Sequence, residues 1–433
     1  VESLTTMKNV AFVGLGYIGL PTAIVMCNAG LNVVGVDVLS EKVDAINRGE
    51  LTISEPGLEE ELAEAISSGR FRATVDMPEA DVYVIAVPTP FTDRHDIDMS
   101  FIYTAAESIA PKLKGGELII LESTSPPRTT ERLAQRILDL RSDLRLHQDG
   151  GETDGAELYF AHCPERILPG QALRELRSND RIIGGMSQAA TKRAKEIYGT
   201  FCTGALLETD STTAELAKLT ENSFRDVNIA FANELSMICD ELGISVWELI
   251  ELANHHPRVN ILQPGPGVGG HCIAVDPWFI VSTAPDTAKL VRTAREVNDS
   301  KPEWVYQKIS QAIESQANSV EQTAEVEGTP AVALLGLTFK PNIDDLRQSP
   351  ALDIAVKTAS RHPDHQFIVV EPHITALPDA LADLDNVRLG TAQEALDSAE
   401  TIVLLVNHDE FNDLDTSAFP PDRVIDTRGS WAQ

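Results

Sequence analysis

One stretch, Gly265-Pro-Gly-Val-Gly-Gly-His-Cys272-Ile-Ala-Val-Asp276-Pro277, carries the residue types of a covalent catalytic loop. Four glycines (Gly265, Gly267, Gly269, Gly270) precede one thiol and, four residues on, one carboxylate. Glycine in such density is costly in backbone entropy and gives no side chain to bury. Packing therefore offers no reason for the cluster, whereas close approach of backbone to a ligand does. A cysteine at neutral pH is nucleophilic and adds to carbonyl carbons; the competing reading is a small, inert, buried thiol. Upstream, Lys218 and Asn222 lie four apart in a helical pattern and so share one helix face, either as a functional pair or as a solvated one. Downstream, Lys340 and Arg347 supply cations for a phosphorylated ligand, or are plain surface charges. The adjacent His255 and His256 cannot both face one metal from a helix, and no third ligand sits at a useful spacing, so no metal site is read here.

These residues need a scaffold, and the sequence patterns describe one. Val10–Val13 is a short apolar run of the kind that forms a buried parallel strand. Gly14-Leu-Gly16-Tyr17-Ile18-Gly19 follows at once, then a helical stretch to Ala29 with Gly30 as its stop, then a second strand, Leu31–Val36, closed by Asp37. This is a dinucleotide fingerprint in its proper context: Gly14 for the turn, Gly16 for the pyrophosphate, Gly19 for helix–strand packing, Asp37 for the ribose 2′-OH of NAD. Strands at 81–87 and 117–121 end in Pro88-Thr89-Pro90 and Glu122-Ser123-Thr124. Ligands of open α/β sheets bind beyond such ends, so Thr89, Ser123 and Thr124 are candidates for the nicotinamide pocket, or else turn and capping hydroxyls. Residues 148–157 read as a surface excursion, and Tyr159 begins a further strand and loop. From Thr209 the alternation stops and a long helix runs to about Leu242, with Gly243 as its end. A shorter helix capped by Ser245 and Glu248 follows, and residues 287–317 are again helical. After a break at Gly328-Thr-Pro330, strands at 331–335, 366–370, 401–406 and 423–426 form a second alternation that lacks the glycine fingerprint. The fold class is α/β: two Rossmann-like doubly wound domains joined by a helical middle domain carrying the thiol, with limits 1–208, 209–327 and 328–433.

Composition narrows the partners. Lys and Arg number 35 against 66 Asp and Glu, a formal net charge of −31, which disfavours nucleic acid and anionic membranes. With 43% hydrophobic residues in regular blocks the chain is not disordered; spread acidity on a folded surface suggests a high-salt cytoplasm. Five scattered cysteines without a Cys-x-x-Cys argue for reduced thiols and a cytoplasmic location. No export signal or long apolar run is seen, and Val1–Thr6 before Met7 read as a disordered start.

The blocks together resemble the UDP-glucose/GDP-mannose dehydrogenase family over nearly the whole chain, from Gly14 to Asp426-Thr-Arg428. They are Val87-Pro-Thr-Pro90, Glu122-Ser-Thr124, Cys163-Pro-Glu165, Glu215-Leu-Ala-Lys218 with Asn222, Gly269-Gly-His-Cys272 and Phe339-Lys-Pro with Asp344-Asp-Leu-Arg347, in the family's order. The stretches 161–170 and 256–279 are most similar to its UDP-N-acetyl-D-mannosamine dehydrogenase branch. Pro169 and Val275 stand where the UDP-glucose branch has a second glutamate and a lysine, which argues against UDP-glucose and places more of the hydrolytic step on Glu165 and Asp276.

The resemblance implies oxidation of a UDP-sugar C6 alcohol to a carboxylate with two NAD. Lys218 and Asn222 would hold the C6 oxygen as charge develops; Cys272 would trap the aldehyde and then carry a thioester; Asp276, Glu165 and Thr124 would position the hydrolytic water. The cofactor set it implies is Gly14, Gly16, Tyr17, Ile18, Gly19, Asp37, Pro88, Thr89, Ser123 and Thr124, with Arg347 at the junction of the two ligands. The substrate set is Glu165, Arg166, Lys218, Asn222, Gly269 and Lys340, with Arg258 reaching across a homodimer interface. Three rivals remain open: a two-electron dehydrogenase of the hydroxyacid type, a non-catalytic nucleotide-sugar sensor, and the same chemistry on UDP-glucose, UDP-N-acetylglucosamine or GDP-mannose.

Overall fold

The computed structural model describes residues 8–53, 55–90, 97–151, 156–168, 170–270, 272–320 and 330–431. The expected disordered start, part of the 148–157 excursion, Pro169, His271 and Gly328-Thr329 of the break lie outside them. The chain divides into two compact units, Val1–Glu221 and Asn222–Gln433.

The first unit is built on a nine-stranded sheet: β1 (Asn9–Val13), β2 (Asn32–Val36), β3 (Phe71–Thr74), β4 (Val82–Ile85), β5 (Leu118–Leu121), β6 (Arg145–Leu146), β7 (Glu157–His162), β8 (Arg181–Gly185) and β9 (Leu206–Asp210). The order is β3-β2-β1-β4-β5-β7-β8-β9, with β6 beside β7, and every pairing is parallel except β7 with β8. Successive residues of β1 feed opposite cores: Val10 and Phe12 pack on one face, Ala11 and Val13 on the other. A strand covered on both faces is apolar at nearly every position, which is why β1, β4 and β5 read as hydrophobic runs. Strand order reverses between β1 and β4, and Val13 sits level with Val36 and Ile85, so the glycine turn opens at the switch point.

From Ser211 the chain is helical: Ser211–Leu242, Val246–Asn254, Asp276–Thr283 and Lys289–Val320, with no strand among the described residues of this stretch. Gly243, with φ of +67°, ends the first of these, as its type predicts. Ser245 accepts from Glu248 N (3.3 Å) and caps the second. The second unit then closes on a parallel sheet of β10 (Ala331–Leu335), β11 (Gln366–Val370), β12 (Val387–Leu389), β13 (Thr401–Leu404) and β14 (Val424–Asp426), in the order β12-β11-β10-β13-β14. Val332 and Leu334 face one core, Ala333 and Leu335 the other. The two sheets thus repeat one winding, and the Gly336 loop follows β10 as the Gly14 loop follows β1.

Candidate active site

In the glycine turn of the first unit, two positions are fixed by packing. Gly14 has φ of +94° and a Cβ there would stand 2.4 Å from the Ala86 carbonyl oxygen; a Cβ at Gly19 would stand 1.9 Å from the Gly14 carbonyl oxygen. Gly16 differs: its φ is not left-handed and a Cβ would meet nothing within 4 Å. The protein does not itself require glycine at 16, whereas a pyrophosphate approaching the helix N-terminus does. Asp37 is where the pattern placed it, at the end of β2. Its Oδ2 accepts from Leu15 N (3.1 Å) and Lys42 Nζ (2.8 Å), and its Oδ1 from Leu39 N (3.1 Å). Burial pulls its pKa up, but Lys42 and the two N–H groups outweigh this and hold it below the usual carboxylate value. These residues fit NAD: an open backbone cradle and an anionic acceptor for a ribose. Lys42 was not foreseen. Tyr17 donates its hydroxyl to Glu55 Oε2 (3.1 Å), which also accepts from Gly170 N (2.8 Å), while Ile18 is exposed.

Beyond β4 and β5 the candidate hydroxyls divide. Thr89 donates to the Thr124 carbonyl (2.7 Å) and Ser123 to the Val87 carbonyl (2.7 Å), so both tie the two strand ends together. Thr124 is half-buried, and its hydroxyl has no hydrogen-bond partner among the described residues; Pro88 is exposed. Glu165 is buried, accepts from Arg166 N (2.6 Å) and forms an ion pair with Arg181. The same guanidinium lies 3.4 Å from Glu122, which also accepts from Tyr198 (3.2 Å). Burial pushes the Glu122 carboxyl up, with Arg181 opposing it. Arg181 and Glu122 were missed as a network; a lone arginine in an apolar strand (Arg181-Ile-Ile) was the available signal. Arg166 pairs with Glu221 (2.8 Å).

Lys218 is half-buried on the helix Ser211–Leu242. Its placement is set one turn earlier by Glu215, which is fully buried and accepts from Thr130 N (2.7 Å) and Thr130 Oγ1 (2.6 Å), and also from Arg128 N. Burial pushes the Glu215 carboxyl up to about 7. Sequence reasoning quoted this residue without giving it a role.

In the second unit, Asn222 donates to Asp276 Oδ2 (2.5 Å), and Asp276 N donates to the Cys272 carbonyl (2.8 Å). The acid is buried at the first turn of its helix, and Cys272 is exposed while the other four cysteines are buried. The expectation that packing gives no reason for the glycine cluster is overturned. A Cβ at Gly265 would stand 2.6 Å from Arg428, one at Gly267 2.9 Å from Pro302 and Pro350, one at Gly269 2.4 Å from the Gln348 carbonyl oxygen, and one at Gly270 2.9 Å from the Phe339 ring. The loop is glycine-rich because it lies directly on the 339–350 loop, to which Gly270 N also donates (Gln348 O, 3.3 Å). This unit therefore brings together Asn222, Cys272, Asp276 and Gly269 with the segment carrying Lys340 and Arg347. Lys340 is exposed and makes no ion pair among the described residues, whereas Arg347 forms a two-pronged pair with Asp345 (2.9 and 2.6 Å). Arg258 is exposed in the segment after Asn254.

A further cluster was not read from sequence. Glu371, His373 and His408 place ligand-type atoms within 4.8 Å of one another at the carboxyl ends of β11 and β13. Burial pulls Glu371 up, but His408 and the Leu337 and His373 N–H groups outweigh it and leave its pKa lowered.

Three models of the UDP-glucose/GDP-mannose dehydrogenase family match in order: NAD binding domain, residues 8–202; central domain, 212–300; UDP binding domain, 333–433. The chain is 53% identical over 426 residues to an NDP-N-acetyl-D-galactosaminuronic acid dehydrogenase of Ralstonia nicotianae, covering 98% of this chain and 96% of the relative. It is 52% identical over 426 residues to a UDP-N-acetyl-D-mannosamine dehydrogenase of Salmonella typhi, covering 98% and 100%. Among solved structures, the UDP-N-acetyl-mannosamine dehydrogenase of Staphylococcus aureus superposes with a TM-score of 0.81 at 40% identity, covering 98% of this chain and 96% of that one.

Proposed function

We infer the reaction of this chain from its family: it belongs to the UDP-glucose/GDP-mannose dehydrogenase family and carries all three of that family's domains. It is an NAD-dependent dehydrogenase that oxidises a UDP-sugar to the uronic acid. The sugar we assign is UDP-N-acetyl-D-mannosamine, on the strength of the 161–170 and 256–279 stretches and of the relatives carrying that name. A second reading, an N-acetylgalactosamine nucleotide, is favoured by the Ralstonia relative.

Bound NAD supplies the hydride acceptor in each of two oxidations. Asn222 has two amide protons; one is committed to Asp276, and the other is available for the sugar C6 oxygen beside Lys218, one helical turn away. Together they stabilise that oxygen as charge develops. The Cys272 thiolate adds to the aldehyde carbon, and the hemithioacetal, once oxidised, is a thioester. Water attacks its carbonyl, the C–S bond breaks, and Asp276 accepts the proton of the attacking water. Glu165 and Thr124 are assigned to hold that water; Arg181 pairs with Glu165 and holds it in place. The observation that carries this reading is the exposed Cys272 one turn before a buried carboxylate that is itself bonded to Asn222. Supplying UDP-N-acetyl-D-mannosamine, its galactosamine counterpart and UDP-glucose with NAD, and counting NADH per sugar, tests it. Two NADH per mannosamine sugar is expected, with Cys272→Ser releasing no carboxylate. One NADH per sugar, or full carboxylate release by the variant, would overturn it.

We further propose a homodimer. Phe224, Phe231 and Ile238 recur every seven residues along Ser211–Leu242 and are 69%, 52% and 43% exposed, an apolar stripe of the kind a second helix covers. Arg258, exposed beyond it, is assigned to the partner's sugar. The domain limits 1–208, 209–327 and 328–433, a cytoplasmic location and a high-salt habitat belong to the same proposal. They are supported by the helical stretch after Ser211, the absence of any helix among the described residues long and apolar enough to cross a membrane, and the net charge of −31.

A further inference from the structure

Lys340 sits on the turn after β10, and nothing in its own side chain holds that turn. The turn is held from below. Leu337 and Thr338 are fully buried, and their N–H groups donate to Glu371 Oε2 (2.7 and 3.3 Å). His408, also fully buried, meets the same oxygen through Nε2 (3.1 Å) and accepts from Asn342 N at Nδ1 (2.9 Å). The Thr338 hydroxyl donates to the Lys340 carbonyl (2.9 Å) and lies 3.3 Å from His408 Nε2. Asn342 takes a left-handed φ of +60°, and its side chain accepts from Asp409 N (3.0 Å). So the backbone of Leu337, Thr338, Lys340 and Asn342 is fixed by buried side chains, and Lys340 stands inside the stretch they hold.

The same three groups could suggest a metal site, but the hydrogen bonds argue otherwise. His408 Nδ1 faces an N–H and carries no proton; Nε2 therefore carries it and points at Glu371. Neither nitrogen has a lone pair to offer. Glu371 and His408 are satisfied as they stand, and apart from the His373 N–H on Glu371 Oε1 (3.2 Å) their bonds converge on one turn; His373 Nε2 is buried without a hydrogen-bond partner among the described residues.

We propose that Glu371, His408 and Thr338 are positioning residues for the nucleotide diphosphate: they hold the Leu337–Asn342 turn so that the Lys340 ammonium stands ready at the carboxyl end of β10. This rests on the assignment of Lys340 to the UDP-sugar. A flexible lysine gains affinity when its backbone is fixed in advance, because less freedom is lost on binding.

The test is a double-mutant cycle on the full-length enzyme, read by calorimetric titration with UDP and by KM for UDP-N-acetyl-D-mannosamine and for NAD. Lys340→Ala should weaken UDP about 10- to 100-fold, the size of a hydrogen bond to a charged group. Thr338→Val, isosteric and buried, should weaken UDP about 3- to 10-fold with KM for NAD and kcat within twofold, and Thr338→Ser should restore it. Glu371→Gln should act in the same direction and serves if Thr338→Val fails to fold. In the Lys340→Ala background neither should weaken UDP further. Full additivity, or an equal rise in KM for NAD, would overturn the positioning role while leaving Lys340 on the ligand. No effect of Lys340→Ala would remove Lys340 from the UDP site, and the proposal with it.

Discussion

Gly16→Ala separates what glycine does for the fold from what it does for the ligand. Of the three fingerprint glycines, only Gly16 has room for a methyl group and lacks a left-handed φ. Alanine there reduces the freedom of the unfolded chain, which raises stability by about 0.4–1 kcal/mol where the native conformation is compatible. For a unit of this size that is an increase in Tm of roughly 1–4 °C. In the presence of NAD the sign reverses. The space the methyl takes is the space the pyrophosphate needs, and overpacking of that kind costs about 1–3 kcal/mol. Affinity should fall about 5- to 150-fold at 1.4 kcal/mol per tenfold. Gly19→Ala is the contrast: its Cβ would lie 1.9 Å from the Gly14 carbonyl, so it should fail to fold or lose stability with or without cofactor. Scanning calorimetry without ligand, followed by NAD titration, reads both quantities. A Gly16→Ala protein that binds NAD normally would show that the cofactor does not approach this backbone; one that melts early would show that Gly16 is a packing glycine like its neighbours.

Three further outcomes follow from the same structure. Lys218→Ala should lower kcat about 10²- to 10³-fold with a much smaller rise in KM, as loss of an oxyanion stabiliser does; unchanged kcat in steady-state assays would reduce Lys218 to a solvated side chain. Glu215 is raised by burial to about 7, so the folded state holds its proton more tightly than the unfolded one, and its contribution is full at low pH and lost as pH rises through 7. The Tm advantage of wild type over Glu215→Gln should therefore shrink between about pH 5 and pH 8, and an advantage that grows with pH would mean the group is ionised throughout. With a net charge of −31 and anionic ligands, both Tm and kcat/KM should rise from dilute buffer to about 1 M KCl, where the Debye length shrinks from roughly 30 to 3 Å; maxima in dilute buffer would refute the high-salt reading.

How much of this was legible in the sequence depended on whether the signal was local. The strands β1, β2, β4, β5, β7, β10, β11 and β13 announce themselves because burial on both faces leaves apolar residues at most positions, whatever their alternation. Strand β9 did not: its residues Leu206-Leu-Glu-Thr-Asp210 are mostly exposed, and the pairing with β8 that makes it a strand is not a property of its own residues. The fingerprint glycines were legible by type and spacing, yet their three roles were separable only when each missing Cβ could be tested against a neighbour.

The Cys272 loop shows the limit more sharply. Its glycines suggested a ligand, and the inference that packing had no claim on them failed for a definite reason. The partners that demand glycine are Arg428, Pro350, Gln348 and Phe339, more than 65 residues away in sequence, and Pro302, 35 residues beyond Gly267. Separation in sequence also hid Glu371 and His408 from view, 34 and 66 residues from the backbone groups they hold: neither stands in a motif, and each matters through backbone groups of a turn elsewhere in the chain. Catalytic side chains lie in short blocks, because chemistry fixes their types and a helix or turn fixes their spacing. The groups that hold those blocks in place are drawn from any strand end that comes near, and no spacing rule marks them. One consequence bears on the loop itself. Gly269 and Gly270 pack on Gln348, Pro350 and Phe339, so the loop carrying Cys272 rests on the same segment that carries Lys340, and a side chain larger than hydrogen at either glycine would push the two apart.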